Sequence, residues 1–234
     1  MASKDRRQRE RSELRTRIMD AARHMIVTQG CEALSMRKIA DAIEYSPTAI
    51  YVHFADKEAL LRAMVSDDFD RLAREFSKLA EIADPIERIR QSGRTYVRFG
   101  VQNPNHYRLM FMTAKTPAAQ GQEASTDPDC SAFHFLKHAV SEAIAAGRFL
   151  PDVTDADLLA CTFWATVHGI ASLYIVKSKE PWMEWPEIET LITVAGDGVI
   201  RGVLRDPSEL PLEVKRPVAG PAKHERRSKI VGSK

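Results

Sequence analysis

Cysteine, glycine and long apolar runs are all in short supply in this chain. The 234 residues hold three cysteines, Cys31, Cys130 and Cys161, an odd number with no CxxC pair. That excludes a disulfide scaffold and fits a reducing compartment. Glycine occurs only 11 times, while Ala, Leu, Arg and Glu abound, so the composition leans towards helix. No stretch approaches the roughly 18 to 20 unbroken apolar residues that span a bilayer. The opening MASKDRRQRERSELRTR lacks the apolar core of a secretion signal. The expectation is a cytoplasmic protein with no membrane partner. GxSxG, a P-loop, GxGxxG after a strand and HExxH are missing too, so nothing asks for catalysis and no cofactor is expected.

What is present is enough for a core: 44% of residues are hydrophobic and 28% charged. The net charge of +2 conceals an uneven distribution, with +4 over residues 1–17, +6 over residues 215–234 and −8 between them. An acidic body with basic ends suggests an anionic partner met at the ends; two solvated tails are the plainer alternative.

Apolar residues recur at helical spacing almost everywhere, and strict alternation is absent. Leu14, Ile18, Ala22, Met25 and Ile26 form one stripe that Gly30 stops. Ser35, Ser46 before Pro47, and Asp56 cap three further helices. Asp84-Pro85, Asn103-Pro104 and Asp127-Pro128 open helices of roughly 85–102, 104–113 and 128–146, and Thr154, with Asp155 and Asp157 near the helix's positive end, caps one of about 155–177. A last helix covers about 187–204, giving an all-α fold of about nine helices. Beyond Arg205 the composition turns to Pro, Lys and Arg, which reads as a disordered tail over 205–234.

Two short helices joined by three or four residues outline a helix-turn-helix, whose second helix can enter a DNA major groove. Here Ile39, Ala40 and Ile43 face Ile50 and Phe54, which leaves Thr48, Tyr51, Val52 and His53 less committed to the core. Short polar and aromatic side chains at such positions reach base edges and phosphates. Arg37 and Lys57 each begin a helix, where backbone amides also favour a phosphate oxygen. Arg6, Arg7, Arg9, Arg11 and Arg15 are placed to track phosphates ahead of the first helix.

The block from Ser35 to Leu61, with Tyr51-Val-His-Phe54 followed by Asp56-Lys-Glu-x-Leu60, resembles the tetracycline-repressor (TetR) family of bacterial transcription regulators. The family usually has glycine in the turn, where this chain has Glu44. In the second half, Ala145-Ala-Gly-Arg-Phe-Leu-Pro151, Phe163-Trp-Ala-Thr-Val-His-Gly169 and Phe99-x4-Pro104-x2-Tyr107-Arg-Leu-Met110 resemble the TetR subgroup whose C-terminal domain is named for a Trp, His and Gly signature. These resemblances imply a basic arm (1–9), a helix-turn-helix head (10–56) and a ligand-binding and dimerisation body (57–204). They imply a homodimeric, nucleoid-associated repressor released from a pseudo-palindromic operator on double-stranded DNA by a small apolar effector. Ser35, Arg37, Ser46, Pro47, Thr48, Tyr51, His53 and Lys57 would meet DNA, and Tyr96, Phe99, Tyr107, Met110, Phe111, Phe133, Trp164 and His168 the effector.

Three features of the second half admit more than one reading. The helix near 155–177 is apolar nearly all round, which predicts burial on every side, with a partner subunit's helices 155–177 and 187–204 as extra cover. A satisfied core histidine is the plain reading of His168, and Gly169 beside it would allow close helix packing. Cys130, His134 and His138 fall at i, i+4 and i+8, which raises a metal- or redox-responsive regulator. Eight helical residues span about 12 Å, too far for all three to hold one ion, so no metal site is assigned.

Overall fold

The computed structural model describes residues 2–112 and 132–212. Its first helix, α1 (Ala2–Gln29), is longer than its apolar stripe: Leu14 is the first residue withdrawn from solvent, and residues 5–13 continue the helix exposed. The segment read as an arm is therefore helical. Gly30, at φ 84°, ends it.

Local capping chemistry sets most other boundaries. The Ser35 hydroxyl accepts from the Lys38 amide to start α2 (Met36–Ala42), and Ser46 accepts from Ala49 to start α3 (Pro47–Tyr51). Asp56 accepts from the Ala59 amide at 2.6 Å at the head of α4 (Lys57–Ser77), and Asp84 accepts from Ile86 at the head of α5 (Pro85–Gln102). Asn103 behaves differently from the expected cap. Its amide donates to the Phe99 carbonyl and so closes α5, leaving α6 (Pro104–Phe111) without a side-chain cap. The Asp127-Pro128 cap lies outside the described residues, which resume in α7 (Ala132–Ala145). The cap of α8 (Ala156–Lys177) is Asp155 and not Thr154: its carboxylate accepts from the Leu158 amide, so the helix starts one residue later than expected.

The last helix, α9, spans residues 188–203 and is interrupted: α-helical Ile188–Leu191 and Gly198–Val203 flank a π-helical Ile192–Asp197. A π turn rotates the following side chains relative to a regular helix, and here Asp197 ends up 1% exposed. It accepts from Arg94 at 2.7 Å and Arg90 at 3.1 Å. Arg94 also reaches Thr193, and Arg98 forks onto Glu189 at 2.9 and 3.0 Å. Arg90, Arg94 and Arg98 thus climb α5 at four-residue spacing while Asp197, Thr193 and Glu189 descend α9, a polar zipper between antiparallel helices.

Among the described residues the core falls into three clusters. One fills the head, from Ile18, Ile39, Ile50 and Leu60, and takes in Leu109 from α6. The second joins α5, α7 and α8 through Ile89, Val140 and Phe163, and the third gathers Leu72, Tyr96, Tyr107 and Val167. Helix α6 therefore belongs to both halves. His106 on it donates from Nδ1 to Asp68 Oδ1 at 2.7 Å, and Arg23 of α1 donates to the same oxygen at 2.8 Å.

One further expectation is corrected. Residues 205–212 are not tail: Leu210 is 4% exposed, Arg148 clamps Glu209 at 2.7 Å, and Phe149 bridges Leu204 in antiparallel fashion. A composition of Pro and charge hid one buried leucine and one long-range ion pair; residues 213–234 lie outside the described residues. Within the protomer α8 is covered on one face only. Leu159, Ala160, Phe163, Val167 and Ala171 face the core, whereas Leu158 and Leu173 on another face are 66% and 56% exposed. By length and composition α8 is apolar enough to cross a membrane, but here it packs against α5 and α7.

Candidate nucleic-acid interface and aromatic site

The turn between α2 and α3 is closed by two backbone hydrogen bonds: Tyr45 N–H donates to Ala40 C=O at 2.9 Å and Glu44 N–H to Asp41 C=O at 3.3 Å. This is a Schellman closure, which demands a left-handed residue at the position after the cap. Glu44 fills it at φ 61°, alone among the described non-glycine residues in being left-handed. The turn therefore keeps the geometry that glycine serves best and holds a side chain in it at a steric cost. Glu44→Gly is expected to raise stability by about 0.5–1 kcal/mol, the left-handed penalty less the entropy glycine loses on folding. Thermal unfolding would check this; an unchanged or lower midpoint contradicts it.

The turn sets α3 on the head with Ile50 fully buried and Tyr51 and Val52 turned outward, 51% and 63% exposed. Thr48 is exposed beside them, and Pro47 is half-buried at the helix start. Ser35 and Ser46 each accept one cap hydrogen bond, which leaves the hydroxyl hydrogen free to donate outward. Arg37 is exposed. Lys57 is less free than its position suggests, because its ammonium donates to the Cys31 carbonyl at 2.7 Å and ties the loop after α1 to the start of α4. His53 stands apart from Thr48 and Tyr51: it lines a groove between α1 and α4 with Arg11, Arg15 and Phe54. Partial burial, and then the charges of Arg11 and Arg15, lower its pKa, so at neutral pH the ring is uncharged. Arg17, which sequence reasoning missed, donates to the Ile43 carbonyl and lies 5.2 Å from the Tyr45 ring, bracing the turn.

The body brings most of the other candidate residues together. Tyr96, Tyr107, Phe111, Phe133, Trp164 and His168 form one chain of ring contacts, with centroids 4.9 Å apart for Tyr107 and Phe111 and 5.3 Å for Phe111 and His168. Phe99 and Met110 belong to the same apolar cluster, the first buried and the second partly so. Spacing explains the convergence. Tyr107 and Phe111 are one turn apart on α6, as are Trp164 and His168 on α8. Gly100 makes room, since a Cβ there would come within 2.8 Å of the Tyr107 ring. His168 Nδ1 lies 2.9 Å from the Tyr96 hydroxyl and 2.7 Å from that of Tyr107. Burial lowers the His168 pKa and raises both tyrosines, Tyr96 to about 12. With the imidazole neutral and Nδ1 the acceptor, its one lone pair takes the Tyr107 hydroxyl at 2.7 Å, and the Tyr96 hydroxyl shares it or donates to the Tyr107 oxygen at 3.4 Å, a small polar spot in an aromatic wall. Trp164 remains 38% exposed at its edge.

Two expectations find no support. Among the described residues, no group of three or more His, Cys, Asp and Glu side chains is placed to hold a metal ion. His134 and His138 sit on α7, His138 beside Glu142, and Cys130 lies outside the described residues. Gly169 does not mediate close packing within the protomer, for a Cβ there would meet nothing within 4 Å.

Comparison with known proteins matches both halves. Residues 18–64 fit a family model described as bacterial regulatory proteins, tetR family, and residues 89–187 a tetracyclin repressor-like C-terminal domain. Between them the two models cover more than half of the chain. The HTH-type transcriptional regulator UidR of Escherichia coli K12 is 38% identical over 85 residues, which is 36% of this chain and 40% of that one. The chain thus spans well under half the length of the curated relatives it matches. Among solved structures, a protein of unknown function from Rhodococcus sp. RHA1 superposes with a TM-score of 0.66 at 28% identity, over 81% of this chain and 95% of the other. The TetR family regulator PfmR from Thermus thermophilus shares the fold at a TM-score of 0.60 and 20% identity, covering 79% of this chain and 97% of its own.

Proposed function

The chain belongs to the tetracycline-repressor family of bacterial transcriptional regulators, and on that premise we propose that it is a homodimeric repressor released from a pseudo-palindromic operator by a small, largely apolar effector. The observation that carries the DNA-reading role is α3 itself: a short helix pinned by buried Ile50, with Tyr51 and Thr48 held outward at its tip. Thr48 and Tyr51 face base edges, while Arg37, the Ser35 and Ser46 hydroxyls and Lys57 hold phosphates and set the register. His53 serves the backbone nearer α1. The protein works on the nucleoid, in the cytoplasm.

Support for the dimer comes from the uncovered faces of α8 and α9. Leu158, Leu173, Val176 and Val194 are exposed large apolar side chains, and Gly169, Gly198 and Gly202 have open space where a side chain would stand. Small and apolar residues on two adjacent helices suit a four-helix seam with a second copy. The effector's place is the wall formed by Tyr96, Phe99, Tyr107, Met110, Phe111, Phe133, Trp164 and His168, where an apolar body would stack and one polar group would meet His168. Helix α6 links the two sites, carrying Tyr107 and Phe111 on the aromatic side and His106 and Leu109 on the head side. An effector that prefers one setting of α6 shifts the spacing of the two heads.

Selecting bound fragments from the host genome tests the reading. Wild-type protein is expected to enrich a small set of sites, and Tyr51→Ala to lose about tenfold to a hundredfold in affinity for them with little change on scrambled DNA. No enrichment, or equal selectivity in the variant, overturns it.

A further inference from the structure

The head carries a cationic element outside the helices that make its core. Packing of α1 begins at Leu14, yet the helix continues back to Ala2. At 1.5 Å per residue those twelve residues add roughly 18 Å to the helix before its apolar stripe begins. Arg7, Arg11 and Arg15 follow each other at four-residue spacing, so three cations share one face, an arrangement that like-charge repulsion disfavours in an isolated helix. Arg6 is paired with Glu10 at 3.2 Å. Arg7 and Arg11 pair with no carboxylate among the described residues.

That face does not look into empty solvent throughout. Arg11, Arg15, Gln8 and Ser12 form one wall of a groove of about 510 Å3, with His53 and Phe54 on the other side. The Arg15 guanidinium is held 4.7 Å from the Phe54 ring centroid, so it is fixed rather than free to search. Every polar side chain lining the groove can donate a hydrogen bond, and no carboxylate lines it. Its far wall is His53, two residues beyond Tyr51 at the end of the outward-facing helix.

We propose that this groove, with its arginines Arg11 and Arg15 and with Arg7 one turn further along the same helix face outside it, is a sequence-independent phosphate site that takes the DNA backbone flanking the half-site that α3 reads. The extension of α1 then lengthens the footprint of each head along the duplex without touching a base. Its contribution is counterion release, so it strengthens all duplex binding and weakens as salt rises. The proposal rests on the reading of α3 as the element that meets DNA.

The test compares full-length wild type with the double variant Arg7→Gln, Arg11→Gln. Both residues are exposed, so the variant folds, and an unchanged thermal midpoint verifies that. Binding is measured on a selected fragment and on a scrambled duplex from 50 to 200 mM salt. The expected result is a slope of log Kobs against log salt that is shallower by about 0.9 for each phosphate no longer neutralised by an arginine, close to 2 per bound protomer. The ratio of selected to scrambled affinity should stay within about twofold, because phosphate contacts carry no sequence information. An unchanged slope overturns the proposal, as does a collapse of the ratio. If wild type itself fails to distinguish the two duplexes, the premise about α3 falls and takes the proposal with it.

Discussion

Asp68→Ala is expected to destabilise the protein by about 3–5 kcal/mol, the cost of removing one partner from a buried ion pair. Asp68 is fully buried, and the Arg23 guanidinium, 5% exposed, and His106 both donate to a single one of its oxygens. Deleting the carboxylate strands the arginine between α1 and α4, where no other acid but the exposed Asp20 is within reach. For a domain of this size each kcal/mol shifts the unfolding midpoint by about 2–4 °C, so a fall near 10 °C should be visible. Asp68→Asn keeps an acceptor for Arg23 but places an amide where Oδ2 has no partner, and should cost about 1–3 kcal/mol. A drop under 1 kcal/mol for the alanine variant would mean the three groups are solvated in solution. The consequence is more than stability, because Arg23 belongs to the head and His106 to the helix that carries Tyr107 and Phe111.

Leu173→Glu should split the proposed dimer while leaving the protomer folded. Leu173 is 56% exposed on α8, so a glutamate there is tolerated by a lone chain. In a two-fold seam the same change buries two charges at once. At about 2 kcal/mol or more for each central apolar side chain replaced, the two copies weaken association by about a thousandfold. Sedimentation at micromolar concentration should therefore turn from dimer to protomer with an unchanged helical circular dichroism signal. A variant that sediments as wild type does would exclude this face of α8 from the interface.

The parts of the fold that rest on local chemistry were legible from the chain alone. Ser35, Ser46, Asp56 and Asp84 each bond an amide two or three residues on, a relation that sequence spacing contains in full. The buried pattern of Ile39, Ala40, Ile43, Ile50 and Phe54 followed from helical periodicity in the same way. What could not be read depends on residues far apart in the chain. The zipper of Arg90, Arg94 and Arg98 finds its partners about a hundred residues away, and only the π turn in α9 brings Asp197 to face it. Leu210 looked like tail because its burial comes from the body, not from its neighbours in sequence. The uniform apolarity of α8 did not reveal which of its faces the protomer covers. At the aromatic site the gathering of Tyr96, Tyr107, Trp164 and His168 was anticipated through family resemblance, whereas the convergence of two hydroxyls on one imidazole nitrogen needed three dimensions.

The most direct measurement is hydroxyl-radical footprinting of a selected fragment, with the number of bound protomers determined on the same complex. Two heads held at fixed separation should protect two symmetric windows one helical turn apart, about 34–36 Å, with an even number of protomers bound. A single asymmetric window, or one protomer per site, would contradict a paired reading head.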